Sequence, residues 1–522
     1  MTGADGIVAA LEAAEVEVVF GLPGVHNLRL WEALRASGIR PVSVRHEPTA
    51  GYAADGYARA TGKVGVALVT TGPGAANCLT AIGEANASGS PVVLVATDIP
   101  STLRRPGVVR GVLHETSDQA AMFAPVTKHQ HAAVPDDDLG ERITEAIATA
   151  MTAPRGPVYV GVPTDLLSAP AERRANRATS SSTQSGGAAA PTADSGQIQR
   201  ATDLLTAARR PLVLAGGGAR HAGAALGALA ARLGAPLVTT FGAAGLHPTA
   251  LAPLHDPAVG ALWDQADVVI GVGTDLDGTD TQNWQQPRPP TLIQLNVDAA
   301  DAAKNWEPDL VVVADAAAAG SIAVDVRRSR WFDPPDVVVA DEGARTLIAA
   351  LDEALPPDAA VVCDMCIPGY WVGGYRPTEG LQYPIGWGTL GFGFPAALGA
   401  SLSRRPTVAI CGDGGFLFAC GELAAAEQER LPVTVLLFDD GGYGMLRPQD
   451  GGGAGGDRFL LHTPDFVALA QAFGVFAEAV TLDDLGTRLA LHVDDPAPSM
   501  IVVRASMTPP PTTSPKWYRS RR

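Results

Sequence analysis

Short apolar runs alternate with alanine-rich stretches along most of the chain, and this alternation predicts β-strands separated by helices. Each run is five or six residues long, and most end in a glycine-containing turn. The clearest runs are residues 16–20, 64–69, 211–215, 268–272, 407–411 and 433–438. Strands that alternate with helices form parallel sheets, so the pattern predicts an α/β protein.

Two breaks in this alternation divide the chain. Residues 169–196 are rich in Ala, Ser, Thr, Gly and Pro and show no apolar periodicity, as is typical of a linker. A weaker break lies at Trp331–Pro335. We therefore expect three parallel-sheet domains, which suits a chain of 522 residues. The predicted parts are an N-terminal domain (1–168), a linker (169–196), a central Rossmann-like domain (197–330), a C-terminal domain (331–507) and a tail (508–522).

The composition of the chain limits the kinds of molecule that the protein is expected to bind. The formal charge of −17 argues against binding to nucleic acid or to an anionic membrane, because both need clustered Lys and Arg. No apolar stretch reaches the roughly 20 residues that span a bilayer, and the N-terminus lacks the features of a signal peptide. We expect a cytoplasmic protein. Its five cysteines do not form a disulfide pattern, and Cys363 and Cys366 lack the second pair that a zinc site requires.

Two acidic residues follow neighbouring predicted strands near the C-terminus. Asp413 lies in Gly412–Gly414 after the strand at 407–411, and Asp440 comes after the strand at 433–438. A short helix is predicted between them at 422–430, so both carboxylates are placed at the same edge of a parallel sheet. Glycines let backbone N–H groups approach an anion, and carboxylate oxygens suit a hard divalent cation. The arrangement predicts a diphosphate bridged by Mg²⁺.

Glu47 is the candidate ionisable residue of the first domain. It is predicted to end a strand and to precede an amphipathic helix at 50–59, which places it at the ligand-binding edge of that sheet. Taken alone, it is an ordinary acidic residue at a helix N-terminus.

Read together, these segments resemble the thiamine-diphosphate-dependent enzymes of the acetolactate synthase and 2-oxo acid decarboxylase group. The resemblance is carried by residues 20–24, 45–47, 56–62, 71–77, 125–128, 156–160, 388–397, 412–414 and 440–444. It implies two thiamine-diphosphate-binding folds that flank a Rossmann-like central domain, with thiamine diphosphate and Mg²⁺ as cofactors. It also implies active sites shared between subunits, and hence a homodimer or homotetramer.

The resemblance assigns roles to individual residues. Glu47 would bind N1′ of the aminopyrimidine, Asp413, Asp440 and the carbonyl of Gly442 would ligate Mg²⁺, and the Gly388 carbonyl would accept from the amino group. Leu390 would support the bent cofactor, with a plain core role as the alternative. Further cofactor-binding positions are Pro23, Gly24, Thr71, Gly72, Asn77, Gly412, Gly414, Gly415, Tyr443 and Gly444.

The segments Gly24–Asn27 and Leu113–Gln119 look most like the branch that contains 5-guanidino-2-oxopentanoate decarboxylase. His26, His114 and Gln119 are candidates for protonating the intermediate or orienting the substrate carboxylate, although a lone His near a turn is often structural. The leading hypothesis is decarboxylation of a 2-oxo acid through a thiazolium ylid and an enamine, with release of an aldehyde. The alternatives are an acetolactate-synthase-like carboligase, a catalytically silent regulatory subunit and, least favoured, a nucleotide-dependent oxidoreductase.

Five features depart from the family or qualify the expected site. Asp439 adds a negative charge beside Asp440 where Asn is common, and Met365–Pro368 replaces the hydroxyl or amide side chains often found near the diphosphate. Asp275, Asp277 and Asp280 do not reproduce the flavin-contacting pattern, so FAD is disfavoured, and Gly216–Gly218 is interpreted as a tight turn. Gly451–Gly456 is predicted to be a mobile loop over the site.

Overall fold

The computed structural model describes residues 1–105, 107–170, 191–254, 256–324, 328–447 and 456–513. Residues 171–190 of the predicted linker, 451–455 of the predicted mobile loop and 514–522 of the predicted tail lie outside the described residues. The described part contains three six-stranded sheets whose strand pairs are all parallel. The predicted α/β class is confirmed. The strands fall within the three predicted domain ranges, and the exact domain limits stay predictions.

The first sheet lies in the N-terminal part of the chain. Its strands are β1 (Val18–Gly21), β2 (Arg40–Ser43), β3 (Gly65–Val69), β4 (Val92–Asp98), β5 (His129–Ala132) and β6 (Val158–Pro163), in the order β2-β1-β3-β4-β6-β5. Its helices are α1 (Gly3–Ala13), α2 (Leu28–Arg35), α3 (Glu47–Thr61), α4 (Pro73–Asn77), α5 (Leu79–Ala87), α6 (Leu139–Met151) and α7 (Thr164–Ser168). We call these elements the first unit.

The second sheet forms the middle unit. Its α-helices are α8 (Ser195–Ala207), α9 (Gly223–Leu233), α10 (Pro257–Gln265) and α11 (Ala299–Ala303). Its strands are β7 (Pro211–Ala215), β8 (Leu237–Thr239), β9 (Leu251–Pro253), β10 (Val268–Val272), β11 (Thr291–Asn296) and β12 (Leu310–Val313), in the order β9-β8-β7-β10-β11-β12. Counted within the sheet, this is 3-2-1-4-5-6, the order of a Rossmann fold.

The third sheet forms the third unit. Its strands are β13 (Ala360–Cys363), β14 (Leu381–Gln382), β15 (Thr407–Gly412), β16 (Thr434–Phe438), β17 (Phe476–Val480) and β18 (Ser499–Val503), in the order β14-β13-β15-β16-β18-β17. Its helices are α12 (Glu342–Ala354), α13 (Ile367–Tyr375), α14 (Gly393–Ala400), α15 (Asp413–Phe416), α16 (Leu423–Glu429), α17 (Phe466–Ala472) and α18 (Leu485–His492). Counted within each sheet, the first and third orders are both 2-1-3-4-6-5.

The first and third units share one hydrophobic core, which lies between their sheets. Helices α3 and α14 meet there at two glycines. A methyl group on Gly56 would overlap the carbonyl of Ala396, and a methyl group on Gly399 would overlap the carbonyl of Ala53. Because neither glycine carries a Cβ, the two backbones lie in contact. This packing fixes the position of α3, and therefore of Glu47, relative to the third sheet.

The middle unit is joined to the third by Arg220. Its Nη1 donates to the Glu379 carbonyl at 3.1 Å, and its Nη2 donates to the Leu381 carbonyl at 3.0 Å. Burial, together with the nearby Arg59, lowers the pKa of Arg220 to about 10. Among the described residues, no helix has both the length and the apolar character needed to cross a membrane.

Candidate active site

Asp413 lies where the sequence pattern placed it, at the carboxyl end of β15 and at the first position of α15. Its side chain is buried, and both carboxylate oxygens accept backbone N–H groups. Oδ1 accepts from Gly414 at 2.7 Å and Oδ2 accepts from Gly442 at 2.8 Å. The second bond ties the turn after β16 to the turn after β15, so the two strand ends form one loop cluster.

Asp440 follows β16 by two residues and lies against Gly444. A Cβ at Gly444 would fall well inside the van der Waals radius of Asp440 Oδ2, so a side chain there would displace the carboxylate from its observed position. Arg447 Nη2 donates to the Asp440 carbonyl at 2.8 Å and lies 3.9 Å from Oδ1. The turn Gly441–Gly444 has glycines at positive φ, +79° at Gly441 and +150° at Gly442, which a side chain would disfavour.

The two carboxylates are suited to a divalent cation. Burial raises the pKa of Asp413 to about 6, and the negative charges of Asp440 and Asp439 add to this effect. Burial also raises the pKa of Asp440, and Asp439 contributes in the same direction. A bound cation would relieve this repulsion. No group of three His, Cys, Asp or Glu side chains among the described residues is arranged to hold a metal, so two carboxylates and a carbonyl would rely on cofactor oxygens to complete a Mg²⁺ shell.

A cavity of about 280 Å³ opens beside these residues. Leu390 lies on its wall with 42% of its surface exposed, so it is not a core residue in this chain. The lining residues are Met365, Cys366, Ile367, Pro368, Tyr370, Gly388, Leu390, Gly412, Asp413, Gly414, Gly415, Phe438, Asp440, Gly442, Tyr443, Gly444, Met445, Leu446, Ala505 and Met507. They include every predicted cofactor-binding position of the third unit.

Two positions in the third unit depart from the family, Asp439 and the segment Met365–Pro368, and both make hydrogen bonds within the unit. Asp439, which had no role in the sequence, accepts from Arg504 Nε at 3.2 Å and from Thr463 Oγ1 at 3.4 Å, so its charge is paired with a residue that follows β18. Cys366 caps helix α13, since its Sγ accepts from the Gly369 N–H at 3.4 Å. A thiol therefore occupies a capping position that a hydroxyl commonly fills.

Asp364 is a residue of the site that the sequence analysis did not assign. It is buried after β13 and accepts N–H groups from Met365 (2.7 Å), Gly391 (3.1 Å) and Gly393 (3.3 Å). Burial raises its pKa to about 6. Its position directly after β13, in the same sheet as the strands that precede Asp413 and Asp440, is the sequence signal that could have identified it. Asp364 holds the chain segment that brings Gly388 and Leu390 into the cavity.

Glu47 lies at the first residue of α3, not at a strand end, because β2 already stops at Ser43. This corrects its predicted local setting. The Glu47 side chain is largely buried, and its Oε2 accepts from Asn77 Nδ2 at 2.9 Å. The Cys78 thiol donates to the Glu47 carbonyl at 3.0 Å. Asn77, predicted to contact cofactor, therefore orients Glu47 here.

The predicted residues around Gly72 form a buried scaffold. Gly72 has φ +63°, and its N–H donates to Gln119 Oε1 at 2.6 Å. Gln119 Nε2 donates in turn to the Thr97 carbonyl (2.9 Å) and to Tyr159 Oη (2.7 Å), while Thr71 Oγ1 donates to Thr97 Oγ1 at 3.0 Å. Gln119 would have to exchange these partners to reach a substrate, so the structure gives it a supporting position.

His26 and His114 lie together at the same edge. Their ring centroids are 5.2 Å apart in an edge-to-face arrangement, and a Cβ at Gly72 would touch the His114 backbone. His26 Nδ1 is buried and has no hydrogen-bond partner among the described residues. Burial, and then the neighbouring His114, lowers the pKa of His26. Pro23, three positions before His26, is exposed, and Gly24 donates its N–H to Asn27 Oδ1 at 2.8 Å.

The predicted site residues thus form two groups within one chain. The cavity beside Asp413 is lined, within the described ranges, only by residues 365–507. Glu47, His26 and His114 belong to the edge of the first sheet and do not line that cavity.

The turn at Gly216–Gly218 packs onto the end of β10. Gly216 donates to the Val272 carbonyl at 2.9 Å and Gly218 donates to the Gly273 carbonyl at 3.0 Å. A Cβ at Gly216 would overlap Gly273. These N–H groups are used within the fold, in agreement with a tight turn.

Three family models match the chain in order. They are the N-terminal TPP binding domain of thiamine pyrophosphate enzymes over residues 1–122, the central domain over 198–321 and the C-terminal TPP binding domain over 368–503. The chain belongs to the thiamine pyrophosphate enzyme family. The predicted resemblance is confirmed, and thiamine diphosphate (thiamine pyrophosphate) is the cofactor of this family.

Individual members of the thiamine pyrophosphate enzyme family are similar over nearly the whole chain. A probable 2-ketoarginine decarboxylase, AruI, from Pseudomonas aeruginosa is 36% identical over 91% of this chain and 88% of its own length. A probable acetolactate synthase large subunit from Methanocaldococcus jannaschii is 29% identical, covering 93% and 88%. This thiamine pyrophosphate enzyme is therefore a 2-oxo acid decarboxylase or an acetolactate-synthase-like enzyme.

A solved structure agrees with the three-unit fold. The thiamine diphosphate-dependent 4-hydroxybenzoylformate decarboxylase of Rhodococcus jostii RHA1 superposes with a TM-score of 0.81 and covers 97% of this chain and 99% of its own. At 24% identity this similarity concerns the fold alone. It matches the predicted arrangement of two thiamine-diphosphate-binding folds around a Rossmann-like unit.

Proposed function

We propose that this enzyme removes CO₂ from a 2-oxo acid and releases the aldehyde, using thiamine diphosphate and Mg²⁺. The observation that carries the proposal is the His26–His114 pair at the edge that also holds Glu47. A decarboxylase must protonate the carbon that loses CO₂, and a histidine beside that carbon is a suitable proton donor. The overall reaction converts a 2-oxo acid anion and one proton into an aldehyde and CO₂.

In this proposal, the residues of the third unit bind Mg²⁺ and the cofactor and orient the cofactor. Asp413, Asp440 and the Gly442 carbonyl would hold Mg²⁺ against the diphosphate, while Gly388 and Leu390 would contact the rest of the cofactor. Bound thiamine diphosphate supplies the carbon nucleophile and accepts the electron pair left by CO₂. The low exposure of Asp413 limits water at this position and strengthens its interaction with a cation.

The residues of the first unit control protons. Glu47 would exchange a proton with N1′ of the aminopyrimidine, and Asn77 Nδ2 holds its carboxylate in a fixed orientation. His26 would donate a proton to the substrate carbon as the imidazolium and return to the neutral ring, which its lowered pKa favours. His114 limits the positions that the His26 ring can adopt.

The assembly follows from the separation of the two groups of residues. Because Glu47 does not line the Asp413 cavity of its own chain, we propose a homodimer or a homotetramer in which Glu47 of one chain faces Asp413 of another. Exposed apolar side chains lie near both groups, among them Val25 and Leu113 in the first unit and Phe418 in the third. Burial of such side chains would stabilise an interface. Light scattering that finds only monomers at working concentration contradicts this arrangement.

The activity test compares products. The protein is supplied with thiamine diphosphate and Mg²⁺ and offered pyruvate, 4-methyl-2-oxopentanoate, benzoylformate and 5-guanidino-2-oxopentanoate, the last because AruI is named for this acid. NMR should show the aldehyde from at least one acid, and none with Glu47→Gln. If the wild-type protein consumes none of these acids, the decarboxylase proposal is contradicted for these substrates.

Carboligation is the second candidate, because acetolactate synthases are similar over more than nine-tenths of the chain. In that case the same experiment would give a 2-hydroxy-2-methyl-3-oxo acid from pyruvate in place of acetaldehyde. The central unit is proposed to act without FAD, and the absence of flavin absorbance near 450 nm in purified protein would support this.

A further inference from the structure

The segment Tyr383–Gly391, which we call the cofactor loop, brings Gly388 and Leu390 to the cavity. Gly388 and Gly391 have positive φ angles of +64° and +78°, and Asp364 fixes the C-terminal end of the segment by accepting the Gly391 N–H. The remainder of the loop needs other anchors, and these come from the first unit.

A buried ionic cluster lies beneath the loop. The Arg59 guanidinium forks onto the Asp55 carboxylate, with Nε to Oδ1 at 2.7 Å and Nη2 to Oδ2 at 2.6 Å, and Nη2 is 3.5 Å from Glu84 Oε1. The carboxylates of Asp55 and Glu84 are fully buried. Burial alone would lower the pKa of Arg59, but the two carboxylates hold it above its usual value. The Arg59 guanidinium therefore stays charged, and its hydrogen bonds confine all three side chains in position.

Each charged end of the cluster also binds the cofactor loop. Arg59 Nη1 donates to the Tyr383 carbonyl at 3.0 Å, and Glu84 Oε2 accepts the Trp387 N–H at 3.3 Å. Just beyond the loop, the Phe392 ring lies under the guanidinium, 4.9 Å from its centroid to Cζ. We propose that Arg59 and Glu84 are positioning residues that set the backbone of the cofactor loop, and thereby the Gly388 carbonyl and the Leu390 side chain.

The chemistry of the cluster suits this role. A buried ion pair adds little net stability compared with apolar packing, but its geometry is strict, and loss of one partner leaves the other unpaired. Glu84 accepts from Trp387, one residue before Gly388, so a small shift of its carboxylate would be passed directly to the Gly388 carbonyl, which is proposed to face the cofactor. The inference rests on the proposed function for the contact between the loop and the cofactor. The anchoring of the loop by Arg59 and Glu84 does not depend on that function.

The test uses hydrogen exchange in the whole apoprotein together with thiamine diphosphate affinity in the presence of Mg²⁺. Arg59→Lys keeps the charge but loses the fork, and Glu84→Ala removes the acceptor for Trp387. In both variants we expect faster exchange confined to residues 383–391 and thiamine diphosphate binding weakened about tenfold or more, as the loss of one positioned contact implies. Arg29→Lys and Glu17→Ala, at exposed ion pairs, are the matched controls and should change neither quantity.

Glu84→Gln separates positioning from simple support of the fold. Gln keeps an oxygen that can accept the Trp387 N–H, so affinity should return towards the wild-type value even if the melting temperature stays low. The proposal is overturned if Arg59→Lys and Glu84→Ala melt earlier yet exchange normally in residues 383–391 and bind cofactor as the wild type does. Wild-type protein that binds no thiamine diphosphate would instead contradict the proposed function, while the exchange measurement would still decide whether the cluster anchors the loop.

Discussion

Glu47 and Arg59 lie at opposite ends of the same helix, α3. They are twelve positions apart, which corresponds to about 18 Å along a helix axis. Glu47 is proposed to face the cofactor held by a partner chain, whereas Arg59 binds the loop that is proposed to contact the cofactor held by its own chain. The N-terminal end of α3 is also fixed from the third unit, because Glu422 accepts the N–H groups of Arg45 and His46. One rigid helix thus supports parts of two sites.

The shared site predicts complementation between two inactive variants. Glu47→Gln and Asp413→Asn should each abolish turnover alone. When the two are unfolded together, mixed and refolded at equal amounts, half of the dimers are mixed and each contains one intact site, so about a quarter of wild-type activity is expected. Recovery of no activity, despite mixed dimers seen by mass spectrometry, would show that the site lies within one chain.

Replacement of Gly444 by alanine should disable metal binding without unfolding the protein. The added methyl group would displace the Asp440 carboxylate, which lies directly against Gly444. We expect Mg²⁺ affinity, measured by calorimetry with thiamine diphosphate present, to fall at least about tenfold, the cost of losing a charged ligand. Gly421→Ala is the control, since a Cβ there meets nothing within 4 Å. Equal affinity in the two variants would show that the observed position of the Asp440 carboxylate is not needed to bind Mg²⁺.

Cofactor binding should weaken in acid. The Asp413 pKa in the folded apoprotein is raised to about 6, so protons compete with Mg²⁺ below that pH. Calorimetric Mg²⁺ affinity should fall by about tenfold per pH unit below 6 for this one proton. The stability of the apoprotein should change in the opposite direction and increase in acid. Because folding raises the Asp413 pKa, the folded state binds this proton more tightly than the unfolded chain, and acidification from pH 7 to 5 adds stability from this group.

Asp413→Asn provides the matching control for the pH experiment. The variant should lose the part of the stability gain between pH 7 and 5 that Asp413 supplies, while the contribution of the buried Asp364 remains. Thermal melting of the two apoproteins across this range measures the difference. An identical pH dependence in wild type and variant would mean that Asp413 is already ionised at pH 5.

His26→Gln should change the fate of the substrate more than its binding. Without the proposed proton donor, we expect aldehyde formation to fall about a hundredfold, the scale of a general acid, with little change in KM. The ratio of ligation product to aldehyde should rise, as measured by NMR with pyruvate and an added aldehyde. His129→Gln, at an exposed strand position, is the control. An unchanged product ratio would assign protonation to another group.

The strand ends of the third sheet were predictable because their cause is local. A run of apolar residues followed by Gly-Asp-Gly fixes both a buried strand and the place of its carboxylate, and Asp413 lies there. The position of Glu47 was less certain, since the three residues between β2 and α3 carry no periodic pattern. The family resemblance, and not spacing, connected Glu47 with Asp413.

Other relationships depend on contacts between distant parts of the chain. Asp439 pairs with Arg504, 65 positions later, and nothing near Asp439 in the sequence indicates this partner. The contact between Arg59 and the Tyr383 carbonyl spans 324 positions. Such pairs are set by how the units pack, which a single sequence does not report.

The matching strand orders of the first and third sheets carry a consequence for the origin of the chain. The order 2-1-3-4-6-5 occurs on both sides of a middle sheet with a different order. This is the arrangement that duplication of one ancestral unit, followed by insertion of an unrelated one, would produce. In that history the two copies acquired acidic site residues after different strands. Glu47 follows the second strand of the first sheet, whereas Asp413 and Asp440 follow the third and fourth strands of the third sheet. The two halves of the present site would then descend from a single gene whose product first paired with itself.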